Sequence, residues 1–377
     1  MKISSNFDSG NIEVINADDP AHIRLRIPYD AGDEFMQWFH FRLNGAKDQD
    51  CTIIIEDLDK SAYPSGWEGY RACASYDRET WFRVDTDFDG EEMTIRHTPQ
   101  LDTVWFAYFA PYTRERHHDL IAKCQLHPRV RHEVVGETLD GEDMDLLVVG
   151  DDYADDRLKL WAIARQHPGE TMAEWWMEGF LTRLLDDHDP VSRELLQRAV
   201  FYVVPNMNPD GSRRGHLRTN AAGANLNREW ATPSLERSPE VYWVEKKMRE
   251  IGLDFCLDVH GDEGLPYNFI AGADAIPDCP QRLIDLREAF EANLRRVSPD
   301  FQSEHGYPPK AAGEANLTYA STHIQNTFQA LTMTLEMPFK DTVDTPDYFQ
   351  GWSPERSQKL GASCLDAIWG ILPDIKG

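Results

Sequence analysis

The feature that most constrains how this chain folds is a change of hydrophobic period near residue 113. Before it, short apolar runs, several of them alternating with period two, occur at 23–27, 36–43, 51–56, 81–84, 93–96 and 104–110. Turn signals separate them, and no long helical pattern intervenes. Such runs form strands with a face to bury, and a small antiparallel β-sandwich buries those faces against each other. After Pro111-Tyr112-Thr113, residues 114–124 read as a linking helix. From about residue 125, strand-like runs at 145–150, 158–164, 200–204, 254–259 and 331–336 alternate with longer stretches at 170–185, 238–251, 281–296 and 357–371 that read as helices, and with a short helical stretch at 193–198. A chain of 377 residues is long for one hydrophobic core and comfortable for two. The expectation is an α/β protein with a β-sandwich over residues 1–115 and an α/β domain over 116–377.

Charge and cysteine usage narrow the partners. With 65 acidic against 38 basic residues the net charge is −27, which repels a phosphate backbone and argues against nucleic acid as the main partner. The six cysteines are scattered without a CxxC pair, as reduced thiols are. The N-terminus has no basic start followed by an apolar run, and no apolar stretch approaches membrane-span length. A soluble, cytoplasmic protein without a membrane partner is expected; the oligomeric state is left open. Asp85-x-Asp87-x-Asp89-Gly90 matches the start of a calcium loop, but Arg96 stands where that loop needs a glutamate, so an Asp-Gly hairpin turn is expected instead.

Five polar features fall at or just after points where strands stop. They are His167/Glu170, the run Asn206 to Gly211, the run Arg213 to Arg228, His260, and Glu336. In an open α/β sheet ligands bind at the carboxyl ends of strands, so the five read as one site. His167 and Glu170, three apart at the mouth of a helix, make half of a metal site; His260 is assigned as the third ligand. The spacing HxxE occurs twice, at His167/Glu170 and His260/Glu263, and about one match is expected by chance, so the set carries the reading rather than any member. Two histidine nitrogens and a carboxylate suit Zn²⁺, which lowers the pKa of water and polarises a carbonyl. A separate carboxylate, for which Glu336 is suited, then takes the water's proton and passes it to the leaving amine. Arginine beside the developing oxyanion, and further Arg and Asn groups on a C-terminal carboxylate, would complete an exopeptidase.

The set resembles the zinc carboxypeptidases of the carboxypeptidase A type, and particularly their cytosolic branch. His167-Pro168-Gly169-Glu170 matches that family's HxxE, Asn208-Pro209-Asp210-Gly211 its Asn-Pro-Asp-Gly, and Thr334-Leu335-Glu336 the Thr-x-Glu of its general base. Asn227-Arg228 matches the pair that binds the terminal carboxylate, and Arg218, within HLRTNAAGANLNR, fits the oxyanion arginine. His260 follows a strand as the third zinc ligand does, which leaves Glu263 as a neighbour. Trp38-Phe39-His40-Phe41 and residues 106–113 resemble the β-sandwich that precedes the catalytic domain in cytosolic carboxypeptidases. The resemblance implies a carboxypeptidase-like mixed-sheet α/β/α catalytic domain holding one Zn²⁺ per chain. Its metal ligands would be His167, Glu170 and His260, its catalytic residues Glu336 and Arg218. Asn227, Arg228 and Tyr319 would bind a peptide or protein C-terminal tail; Tyr319 is nearer than Tyr307 to the position of the family's mobile tyrosine. One departure concerns the metal: Asn225 stands where the family has an aspartate that orients a zinc histidine, and an amide brings no charge. Asp262 and Glu263 add acidity beside His260 that would repel an acidic residue or favour a basic one. Two other readings use the same residues: a zinc amidohydrolase or deacylase acting on a modified amide, and a non-enzymatic binding module whose metal is structural. The second requires a fourth protein ligand.

Overall fold

The alternating run 23–27 and the β-branched run 51–56 become the strands Ile23–Arg26 and Cys51–Glu56, in which every second residue is buried. In the computed structural model, which describes residues 1–151 and 157–376, the N-terminal part forms two five-stranded sheets. One runs Lys2–Ser4, His40–Asn44, Thr103–Ala107, Cys73–Ser75, Phe82–Arg83, and is antiparallel throughout. The other runs Glu13–Asn16, Ile23–Arg26, Cys51–Glu56, Met93–His97, Asp85–Phe88; only its Ile23–Arg26/Cys51–Glu56 pair is parallel. The acidic repeat is a hairpin: Asp85–Phe88 pairs antiparallel with Met93–His97. The Asp89 carboxylate accepts from the Glu91 and Glu92 N–H groups, and Gly90 takes φ +104°.

The helix Arg114–Cys124, capped by the Thr113 hydroxyl, leads into a seven-stranded mixed sheet. Its order is Val130–Glu137, Asp143–Val149, Ala199–Val204, Leu158–Ala164, Phe255–Asp262, Leu331–Pro338, Phe269–Gly272. The four strands from Ala199–Val204 to Leu331–Pro338 are parallel, and the outer ones antiparallel. The sequence reading missed Val130–Glu137 and Phe269–Gly272, edge strands with few buried residues, and the helix Ala320–Phe328. It also stopped the strand at 259, whereas the structure continues it through His260 to Asp262.

Two apolar clusters cover the sheet. Phe255, Leu257, Val259, Leu331, Met333 and Leu335 pack in the larger one with the helices Met172–Leu184, Gln281–Val297 and Pro354–Ile371. Cys256 and Trp161 face the other way, toward Pro239–Ile251 and Ala320–Phe328. The larger cluster runs without a break into the β-sandwich, where Tyr108 stacks on Phe339 with ring centroids 4.4 Å apart. The helices Met172–Leu184 and Pro354–Ile371 meet at Gly179 and Gly361. A Cβ at Gly179 would lie 2.0 Å from the Gln358 carbonyl oxygen, and one at Gly361 2.2 Å from that of Trp176. From Leu158–Ala164 the chain passes to a parallel neighbour on one side, then to one on the other. Such a reversal opens a crevice at the carboxyl ends of the strands. Among the described residues all six cysteines are unpaired, and no helix is long and apolar enough to cross a membrane.

Candidate active site

The strand Leu158–Ala164 ends because Arg165 adopts a left-handed φ of +60°, and the chain turns through His167-Pro168-Gly169-Glu170 into the helix Met172–Leu184. Gly169 permits a close approach there: its N–H donates to the Leu217 carbonyl, and a Cβ would stand 3.0 Å from Leu217 backbone. His260 enters from the neighbouring strand Phe255–Asp262. The three side chains converge, all buried: His167 Nδ1 lies 2.6 Å from Glu170 Oε1, His260 Nδ1 2.8 Å from Glu170 Oε2, and the two Nδ1 atoms are 3.2 Å apart.

The outer nitrogens fix what the inner ones present. His167 Nε2 is 3.0 Å from Asn225 Oδ1, and His260 Nε2 is 3.0 Å from Asp258 Oδ2. With those N–H groups donated outward, the neutral rings turn their Nδ1 lone pairs inward, toward each other and toward a carboxylate. Such a set holds a positive charge between its members, as a metal or as a proton: burial opposes the charged His260 ring, but Asp258 and Glu170 outweigh it and raise His260 well above the usual imidazole range. The spacing of the three groups approaches the roughly 3.3 Å between ligands of a tetrahedral zinc with bonds of about 2.0 Å. The residues therefore fit a divalent metal. Among the described residues no fourth His, Cys, Asp or Glu joins them, so the set has the open form of a catalytic site rather than the closed form of a structural one. Glu263 of the rival HxxE stays outside the cluster. Burial, and next Arg218, push His167 down to about 4, so the ring is neutral and its lone pair available.

Glu336 reaches the same place by register. His260 and Glu336 are directly paired positions on adjacent parallel strands, so both side chains emerge on one face at one level. Burial pushes the Glu336 carboxyl well above the usual range; His260 opposes this, and Glu170, Asp262 and Glu263 reinforce it. Its Oε2 is buried without a partner, and its Oε1 accepts from the Tyr307 hydroxyl at 3.2 Å. Tyr307 also donates to Asp262 at 2.7 Å. Arg218 Nη1 stands 3.9 Å from Glu170 Oε1. The Asn227 side chain accepts from the Ala320 N–H at 2.8 Å, and the Arg228 guanidinium lies 3.8 Å from the centre of the Tyr319 ring. Tyr319 thus backs Arg228, while the tyrosine touching Glu336 is Tyr307. Among the described residues Arg228 has no carboxylate in ion-pair reach, whereas Arg213 and Arg214 are both committed to Asp140. Lys310 Nζ lies 5.2 Å from the centre of the same Tyr319 ring. Burial pushes Glu263 up to about 8 against the pull of Arg218.

Two supporting residues escaped the sequence reading. Asp258 holds His260, and Gln166, fully buried, donates to Asp258 at 2.7 Å while accepting from Trp230 at 2.8 Å. The signal for Asp258 was period two: within Cys256-Leu257-Asp258-Val259-His260 it shares a face with the ligand. Asn208-Pro209-Asp210-Gly211 is structural. Asn208 caps the short helix Pro209–Arg214 and donates to the Gln166 carbonyl, and Asp210 accepts from Thr138 and the Asp140 N–H.

An open two-His, one-Glu cluster with a buried carboxylate opposite, at the carboxyl ends of a parallel sheet, defines a metal-dependent hydrolase. Comparison with known proteins gives the family. Residues 118–256 match the zinc carboxypeptidase model and residues 3–109 the cytosolic carboxypeptidase N-terminal domain. The chain is 48% identical to a metallo-carboxypeptidase from Burkholderia cenocepacia, with a TM-score of 0.97 over 99% of both chains. It is 45% identical to a metallo-carboxypeptidase from Pseudomonas aeruginosa, solved with (2-guanidinoethylmercapto)succinic acid, with a TM-score of 0.97 over all of both. Cytosolic carboxypeptidase 1 of Xenopus laevis is 25% identical over 81% of this chain, which spans only 28% of that protein. The chain belongs to the zinc carboxypeptidase family, and its His-Glu-His cluster and fold are those of an enzyme that hydrolyses a C-terminal peptide bond with a metal's help.

Proposed function

We propose that this chain is a zinc carboxypeptidase of the cytosolic branch, working in the cytoplasm on peptide or protein C-terminal tails with one Zn²⁺ per chain. The observation that carries the reading is Glu336, buried and half unpartnered, at the register position of His260 and facing an open three-ligand set. The match of residues 3–109 to the cytosolic carboxypeptidase N-terminal domain supports the branch. Held by His167, Glu170 and His260, zinc supplies a Lewis acid that makes water a better nucleophile and polarises the carbonyl. Glu336 takes the proton of the attacking water and hands it to the leaving amine; a carboxyl whose burial favours the protonated form is suited to hold that proton between steps. Arg218 donates to the oxyanion as it forms. Arg228, with no carboxylate of its own, and Asn227 receive the terminal carboxylate, and Tyr319 holds the guanidinium over its ring. Tyr307 steadies Glu336 through its hydroxyl. The ligand of the Pseudomonas protein is a dicarboxylic acid with a guanidinium arm, and its carboxylates are what Asn227 and Arg228 would grip.

The test is cleavage of N-blocked dipeptides ending in Glu, Lys, Phe or Ala, each as free acid and as amide, by zinc-loaded wild type and Glu336→Gln. Free acids should be cut and amides spared, while E336Q keeps one equivalent of zinc and loses about 10²–10⁴-fold in rate. Cleavage of amides as readily as acids would move the assignment to an amidohydrolase or deacylase. No cleavage of any member by zinc-loaded protein would remove short peptides as substrates.

A further inference from the structure

One loop, residues 216–228, brings Arg218, Asn225, Asn227 and Arg228 to the site, and its first half is held by the β-sandwich. Asp30, 2% exposed, accepts three successive backbone N–H groups: Leu217 at 2.8 Å on Oδ1, then Arg218 at 2.7 Å and Thr219 at 3.1 Å on Oδ2. The contact continues on both sides. The Ala31 N–H donates to His216 Nε2 at 3.3 Å, and the Thr219 hydroxyl to the Ala31 carbonyl at 3.1 Å. Gly32 and Gly223 then meet backbone to backbone: a Cβ on Gly223 would lie 2.7 Å from the Ala31 carbonyl oxygen and 2.9 Å from Gly32 Cα. The sandwich also flanks the guanidinium, with the Tyr63 and Phe35 ring centres 5.2 and 5.8 Å from Arg218 Cζ.

We infer that Asp30 is a positioning residue for Arg218, so that the sandwich sets the geometry of oxyanion stabilisation without touching substrate. The inference rests on Arg218 acting in that role. Three consecutive amides converging on one carboxylate form a concave anion site, and charge-assisted bonds of this kind fix the backbone where it carries the arginine. The rings of Tyr63 and Phe35 limit where the guanidinium can swing. A donor to an oxyanion acts only when it is already aimed at the position the oxygen will take. The other half of the loop is held separately, through Asn227 on the Ala320 N–H and Arg228 on Tyr319, so the grip on the terminal carboxylate is independent of Asp30.

The experiment is a double-mutant cycle on zinc-loaded protein with Asp30→Ala, Asp30→Asn, Arg218→Ala and the combinations, following kcat and KM separately together with zinc content. Removing one oxyanion donor costs about 10²–10³-fold in kcat, and D30A should approach that loss with KM changed by no more than a few-fold. D30A/R218A should be no slower than R218A alone, and zinc should stay at one equivalent. Binding of an N-blocked phosphonate dipeptide should weaken in parallel with kcat, while binding of the free-acid product stays unchanged. D30N, which keeps the shape and loses the charge, should fall between wild type and D30A and decides the matter if D30A does not fold. Losses that multiply in the double variant, a rise in KM without a fall in kcat, or loss of zinc would overturn the role of Asp30. An unchanged kcat in R218A would instead overturn the oxyanion reading, and the inference with it.

Discussion

Asn225 and Asp258 perform one task on two histidines with different charge. Each accepts the outward N–H of a ligand ring, Asn225 from His167 and Asp258 from His260. A carboxylate in that position makes the ring a stronger donor to metal and an amide does not. The charge missing at Asn225 is therefore present at Asp258. Substituting such a partner changes metal affinity by about 10–100-fold, so Asp258→Asn should weaken zinc by that factor and Asn225→Asp should strengthen it, as read by competition with a chelator. Equal affinities in wild type and D258N would sink this division of labour. The cluster of His167, Glu170 and His260 was legible in the sequence because HxxE and a strand-end histidine are local patterns, and Glu336 because it lies in a late strand with a Thr-x-Glu pattern. Asp258 also lay within such a pattern, on the ligand's face, but Gln166 and Asp30 did not. Their partners lie 92 and 187 to 189 residues away, across contacts that only the fold creates.

At the scale of elements, the crossing of Met172–Leu184 with Pro354–Ile371 fixes the height of the helix that follows Glu170. Gly179 and Gly361 let each backbone touch the other helix, and no side chain fits between them. Gly361→Ala should therefore destabilise by about 1–3 kcal/mol, the usual cost of overpacking, although alanine is the better helix former. Urea unfolding would show it as a lower midpoint at unchanged slope; a stabilised G361A would mean that the helices separate without cost. Helical period revealed both helices, but nothing in it reveals which glycines a crossing requires. The edge strands Val130–Glu137 and Phe269–Gly272 escaped for the converse reason, since a strand that buries little leaves a weak pattern.

Across the whole molecule, buried charge and surface charge make separate predictions. His117 bridges two carboxylates, with Nδ1 2.6 Å from Glu174 and Nε2 2.9 Å from Asp145, and Glu174 in turn holds Arg165 at 2.6 Å. Burial disfavours the charged ring, but Glu174 and Asp145 outweigh it and raise His117 to about 9. A group raised in the folded state contributes its stability fully below its unfolded pKa of about 6.5, and loses it as pH rises through the folded value. Stability should fall by up to about 3 kcal/mol between pH 6.5 and pH 10, and His117→Gln, less stable at neutral pH, should show a flatter slope over that window. Equal slopes for the two proteins would remove His117 as the cause. At the surface, a net charge of −27 repels acidic tails and attracts basic ones over about 10 Å at 0.1 M salt. Added salt should raise kcat/KM for a Glu-ended peptide and lower it for a Lys-ended one; opposite signs would show that the local field around Arg228 and Lys310 dominates.

The pairing of His260 with Glu336 has a consequence for how this enzyme can change over generations. Two adjacent strands hold ligand and base at one level by counting residues, and the side-chain period is two. Losing or gaining one residue between Phe255 and His260, or between Leu331 and Glu336, would turn one of the pair to the opposite face, among Val259 and Leu335. These strands tolerate conservative replacement far better than any change of length. Diversification by insertion and deletion is thereby confined to the connecting loops, and the chemistry is inherited as a fixed interval.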